Sequence, residues 1–180
     1  INQVLWTFLG SHDTARLRTR AGGDLRMLHA ASFFQFTFPG APIIYYGDEL
    51  GMQGGDDPFC RFPMEWHNVE GNVTHAHYRK LAHVRAKSSA LRVGSFRTWQ
   101  VEENGLYAYL RQGDDQRALC LINTSLEPVT GMIRLPEANS RNAANTGFIR
   151  ELSHQVIGII HLGERCFSLD SPLKKLMQNK

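Results

Sequence analysis

Cysteine is scarce: Cys60, Cys120 and Cys166 are the only three in 180 residues. None are spaced as C-x-x-C, and three cannot all pair within one chain. Free thiols in a reducing compartment are the simpler reading, and a cytoplasmic location is expected. An excess of either charge is also missing, since 20 basic and 17 acidic residues leave only +3. That balance is too small and too scattered for a nucleic-acid partner. Lys174, Lys175 and Lys180 form the one basic cluster, and they read as a solvated chain end. No apolar run reaches the roughly 18 residues that a bilayer demands, so no membrane partner is expected. The first residue is Ile1, and no charged n-region or signal core follows, so the chain is expected to begin inside a longer protein. What remains is a composition with 42% hydrophobic residues, enough for a packed core.

The pattern changes near residues 87–91, and two units are expected, 1–88 and 89–180. In the first, the apolar run Val4 to Leu9 reads as a buried strand. A loop, Gly10-Ser11-His12-Asp13-Thr14, follows directly. Asp24 can cap a helix to about Phe38, stopped by Pro39-Gly40. Leu28, Ala31, Phe34 and Phe38 recur at helical spacing, and Phe33 and Phe36 widen that surface. Ile43 to Tyr46 reads as a second strand, bounded by Pro42 and Gly47. A loop without structure of its own then runs to about Val73, a length that usually signals function. Thr74 is expected to cap a helix to Lys87 that carries Tyr78, Leu81, Ala82 and Arg85 on one face. Strand, loop and helix repeated in this order form the parallel α/β pattern, in which loops at strand ends carry function.

The second unit reads as strands at Phe96 to Val101, Leu106 to Arg111, Ala118 to Asn123, Val129 to Arg134, Val156 to Leu162 and Cys166 to Leu169. Turn residues near Gly105 and Gly113 separate the first three. Spacings of about ten residues suggest a β-sandwich.

Two constellations could carry chemistry. His12 and Asp13 sit in a small-residue loop at a strand end, where a carboxylate beside an imidazole can hold sugar hydroxyls or stabilise positive charge. An ordinary structural loop pair explains them as well. The second constellation is the long loop, with Tyr45, Tyr46, Asp48, Glu49, Asp56, Asp57, Arg61 and Trp66. Rings that stack on pyranose faces beside charged groups suit a sugar site, and an ion-paired brace is the alternative. His67, His75, His77 and His83 lack fixed ligand spacing and read as solvated surface, so neither a metal nor a cofactor is expected. Cys60 and Cys120 read as packing.

The segment Phe8-Leu9-Gly10-Ser11-His12-Asp13-Thr14 resembles the fourth conserved region of the α-amylase superfamily, glycoside hydrolase family 13. Residues 40–52, Gly-Ala-Pro-Ile-Ile-Tyr-Tyr-Gly-Asp-Glu-Leu-Gly-Met, resemble its last conserved region. Residues 54–66 look like the neopullulanase, cyclomaltodextrinase and maltogenic amylase branch. The resemblance is strong to about residue 125. It implies the last two βα units of a (β/α)8 TIM barrel, strands seven and eight, followed by an all-β C-terminal sandwich. Asp13 would be the transition-state stabiliser. His12, Asp57 and Arg61 would bind substrate, and Glu49 would brace its loop. The implied substrates are α-glucan oligosaccharides, namely maltooligosaccharides, cyclodextrins or pullulan. The implied partner is the remainder of the parent barrel, and a homo-oligomer is left open.

Two departures bear on this. The family's nucleophile, an Asp in a Gly-x-Arg-x-Asp motif, and its acid/base Glu have no counterpart in the 180 residues. Retaining cleavage needs two carboxyl groups about 5–5.5 Å apart. The chain alone is therefore expected to be inactive, and two strands alone cannot close a barrel. The polar stretch Glu137 to Asn145 is unlike a family strand and reads as an insertion loop. Three functions stay open at this point: part of a retaining hydrolase, a non-catalytic amylase-like module, and an α-glucan transglycosylase.

Overall fold

A computed structural model describes residues 4–99, 105–125, 127, 129–134, 146–152 and 157–162. The chain divides into two compact units, Ile1–Ser88 and Ser89–Lys180. The expected strand at Cys166 to Leu169, the loop at Glu137 to Asn145 and the lysine tail lie outside the described residues.

The first unit is built on two short strands, β1 (Trp6–Phe8) and β2 (Ala41–Ile43). They pair in parallel, with Trp6 opposite Ala41, Thr7 opposite Pro42 and Phe8 opposite Ile43. Parallel neighbours need a crossover, here supplied by helices α1 (Leu17–Arg20) and α2 (Leu25–Thr37). The second strand sits earlier than its apolar run suggests. Pro42 lies inside it, and Ile44, Tyr45 and Tyr46 lie beyond it. The cause is a tight turn: Asp48 N donates to Tyr45 O at 3.1 Å, and Gly47 adopts a left-handed φ of 88°. That turn pulls both tyrosines out of the ladder.

Helix α2 starts where Asp24 accepts a hydrogen bond from Arg26 N. Its buried stripe is Leu28, Ser32, Phe33, Gln35, Phe36 and Thr37, while Phe34 and Phe38, expected on the core face, are only half-buried. Gln35 explains part of that rotation. Its side-chain amide donates to Thr7 O at 2.7 Å and to Ile43 O at 2.8 Å, so one buried side chain ties the helix to both strands. Helix α3 (Val73–Lys87) packs against α2, with Phe36 edge-on to Tyr78 at 5.8 Å. Its cap is Asn72, which accepts from His75 N, and not Thr74, which is buried in the first turn. Arg85 of α3 donates to the carbonyls of Phe36, Phe38 and Gly40. These include carbonyls at the α2 C-terminus that lack intrahelical donors.

The second unit opens with the short helix α4 (Ser89–Val93). Strands β3 (Ser95–Trp99), β4 (Leu106–Gln112), β5 (Arg117–Asn123) and β8 (Ile157–Leu162) form an antiparallel sheet in the order β3-β4-β5-β8. Strands β6 (Val129–Arg134) and β7 (Thr146–Leu152) pair separately. β7 was not legible, because Gly147, Arg150 and Glu151 break any clean alternation. β4 and β5 carry near-continuous buried runs, Ala108 to Arg111 and Ala118 to Asn123, so both faces of the central pair are covered. Cys120 is among these core residues.

Candidate active site

Because β1 and β2 run in the same direction, the loops that follow them leave from the same end. His12 and Asp13 lie on the first loop, Asp57 and Arg61 on the second. Arg61 joins them. Its Nε donates to His12 O at 3.0 Å and lies 3.0 Å from Asp57 Oδ1, while a terminal nitrogen stands 3.8 Å from Asp13 Oδ1. His12 Nε2 is 3.2 Å from the same Asp13 oxygen. The four residues picked from sequence therefore form one contacting group. All four are exposed, so their polar edges face solvent. The loop under Asp13 is held locally: Asp13 N donates to Ser11 Oγ, and Ser11 N donates to Thr14 Oγ1. Two carboxylates, a guanidinium and an imidazole in mutual contact are suited to a ligand dense in hydroxyl groups.

A second polar group, of which sequence reasoning had Tyr45, Tyr46 and Asp48 but missed the buried Arg16, lies in the same unit. Arg16 is fully buried, with its guanidinium 4.3 Å from the Tyr45 ring centre and 4.5 Å from that of Tyr46. It donates to Tyr46 O and stands 3.6 Å from Asp48 Oδ1. Its backbone N donates to Gly54 O at 2.9 Å. Arg16 thus clips the segment after β1 to the segment after β2. Arg16 Nε, one Arg16 terminal nitrogen and Asp48 Oδ1 have no hydrogen-bond partner among the described residues. Burial pushes the Asp48 carboxyl up to about 6, against the opposing pull of Arg16. Burial also raises the Tyr45 hydroxyl, with Tyr46 reinforcing the shift. Glu49 accepts from Gly47 N at 2.8 Å and so holds the turn on which it sits. The available sequence signal was an arginine three residues past Asp13, next to a buried leucine. Its partner Asp48 is 32 residues away, beyond the reach of any local pattern.

The long loop does have structure of its own. Three 3₁₀ turns punctuate it, at Asp48–Leu50, Phe59–Arg61 and Trp66–Asn68. The middle turn is anchored by Cys60, which is buried and donates from Sγ to His12 O at 3.1 Å. Tyr46 Oη donates to Phe62 O at 3.0 Å. Gly54 permits this packing, since a Cβ there would lie 2.5 Å from Phe59 O and 3.1 Å from Arg16 Cγ.

The histidines do not all behave as solvated surface. His77 is half-buried and stacks on His29 with ring centres 4.3 Å apart. Its Nε2 lies 3.1 Å from Ser32 Oγ and 3.2 Å from His29 O. Burial, reinforced by the neighbouring His29, lowers its pKa to about 4. Among the described residues, no group of three or more His, Cys, Asp or Glu side chains is placed to hold a metal ion. Nor, among them, is any helix long and apolar enough to cross a membrane.

Residues 1–108 match the family described as alpha amylase, catalytic domain. The chain is 38% identical over 141 residues to neopullulanase 2 of Thermoactinomyces vulgaris, covering 77% of this chain and 24% of that protein. It is 44% identical over 124 residues to a cyclomaltodextrinase of a Bacillus species, covering 68% of this chain and 22% of that one. A solved cyclomaltodextrinase structure superposes with a TM-score of 0.76 at 34% identity, covering 86% of this chain and 28% of that chain. The chain spans about a quarter of the length of the curated relatives it matches.

Proposed function

The chain belongs to the α-amylase catalytic-domain family, and from that premise we propose that it is the C-terminal portion of a retaining α-glucan hydrolase. Its substrates are maltooligosaccharides, cyclodextrins or pullulan. In this reading β1 and β2 are strands seven and eight of a (β/α)8 barrel, residues 1–88 complete the catalytic domain, and residues 89–180 form the β-sandwich that follows it. The rest of the barrel is the partner that covers Trp6 and Phe8, large apolar side chains exposed on β1. Buried cysteines at Cys60 and Cys120 agree with a cytoplasmic setting.

The observation that carries the reading is the contact of Asp13, His12, Asp57 and Arg61 at the end from which both strand-following loops leave. Catalytic groups of (β/α)8 enzymes sit at that end of the strands. Asp13 holds sugar hydroxyls and stabilises the positive charge that grows at the anomeric carbon as the bond breaks. His12 donates to a hydroxyl of the same sugar, and Asp57 with Arg61 grips the next sugar on the glycone side. The nucleophile and the proton donor belong to the remainder of the barrel, so the 180 residues alone do not cleave.

The test is to express the full open reading frame and the 180-residue chain separately. Each is then assayed on cyclomaltodextrin, pullulan and maltoheptaose, with the anomeric form of the fresh product read by NMR. The full protein is expected to release sugars of α configuration, and the short chain none. An inverted product, or no turnover by the full protein, refutes the proposal. Transfer of sugar to sugar in preference to water would assign the protein to the transglycosylases instead.

A further inference from the structure

The middle 3₁₀ turn presents a feature that the polar cluster does not use. Phe59 is 57% exposed and Phe62 is 51% exposed, and their ring centres are 6.1 Å apart at 62°. Within this turn only Cys60 points inward, fixed under the His12 carbonyl. Phe59, Arg61 and Phe62 are all exposed, so two bare phenyl rings stand on the same short turn as the arginine that contacts Asp57 and Asp13. The backbone beneath is firm. Phe59 N donates to Asp56 O at 2.8 Å, Arg61 N donates to Pro58 O at 3.0 Å, and Tyr46 Oη holds Phe62 O.

We infer that Phe59 and Phe62 form a stacking platform for a glucosyl unit beyond the one held by Asp57 and Arg61, so that the site favours longer α-glucan chains. This rests on the α-glucan reading above. A pyranose has an apolar C–H face and a hydroxyl rim. An exposed phenyl takes the face, and the adjacent guanidinium and carboxylate take the rim. Phenylalanine brings no hydroxyl of its own, so the platform accepts a sugar in several rotations and reads chain length more than linkage. Continuity with the charged group favours this occupant over a protein segment, because burying the rings under protein would also desolvate Arg61 and Asp57.

The test uses the full-length enzyme with Phe59→Ala, Phe62→Ala and the double change, assayed on maltotriose and on maltoheptaose. Thermal unfolding is recorded for each variant. The double variant should lose about tenfold more kcat/KM on maltoheptaose than on maltotriose, the scale of one lost aromatic contact, and the loss should fall on KM. Phe59→Trp and Phe62→Tyr, which keep a ring, should restore the preference. Equal losses on both substrates, or none on either, would overturn the platform alone, and equal losses would mark the rings as covered by protein. A wild-type enzyme that cleaves neither substrate removes the α-glucan reading and the platform with it.

Discussion

Arg61 Nε donates to the carbonyl oxygen of His12 at 3.0 Å, across 49 residues of sequence. The acceptor is main chain, so this link between the two loops, one of several, depends on the guanidinium and not on which side chain stands at position 12. The same guanidinium reaches Asp57 and Asp13, three directions that suit a planar fork and not a point charge. Arg61→Lys in the full enzyme is expected to lower kcat/KM on maltooligosaccharides by about 10-fold or more, chiefly through KM. Steady-state kinetics check it, and an unchanged KM would remove Arg61 from substrate binding.

Asp13 has a different signature. If it stabilises the transition state, Asp13→Asn keeps the shape and removes the charge, so kcat should fall by about 10²-fold or more, roughly 3 kcal/mol in barrier. Near-normal turnover in a folded variant would exclude that role.

Arg16 and Asp48 make a stability prediction. Both are buried, and they share a 3.6 Å ion pair. Removing one partner strands the other charge, so Arg16→Met should cost about 3–5 kcal/mol in urea unfolding. Arg16→Met with Asp48→Leu strands nothing and should recover most of that loss. A double variant as unstable as the single one would mean that the cost lies in packing against Tyr45 and Tyr46.

The half-buried His77 and the buried Asp48 give stability opposite slopes against pH. His77 sits at about 4 when folded, below its ordinary 6.5. Its contribution is whole above pH 6.5 and is lost as pH falls toward 4, by at most about 3 kcal/mol. The groups acting on it are His29 from α2 and Lys80 from its own helix. Asp48 is raised from 3.8 to about 6. Its contribution is whole below about pH 4 and is lost as pH rises through 6, by a similar amount at most. In urea unfolding at pH 4.5, 5.5 and 7, His77→Phe should flatten the loss on the acid side, and Asp48→Asn should flatten the opposing rise. Variants with the wild-type slope would show that these groups titrate alike in folded and unfolded chains.

The loops that carry the candidate site were legible because their signals are local. A strand-length apolar run before Gly10, a small-residue loop around Asp13 and a second apolar run ahead of Gly47 place two loops without any knowledge of tertiary contacts. Boundaries were less legible, since competing local choices decide them. Asn72 and Thr74 can both cap a helix, and Asn72 prevails after the left-handed turn at Gly71. The pairings of Arg16 with Asp48 and of His29 with His77 were hidden for another reason. Each joins residues more than thirty positions apart, and each side chain alone looks like surface. Gln35, a polar residue on a phenylalanine-rich helix, became intelligible only once two strand carbonyls were found in front of it.

The thiol of Cys60 is shut beneath the His12 carbonyl, on the turn that carries Arg61. A maleimide or disulfide reagent can reach that sulfur only when the turn lifts away. The rate at which such a reagent consumes the thiol is therefore a clock for the opening of the loop, readable without substrate or turnover.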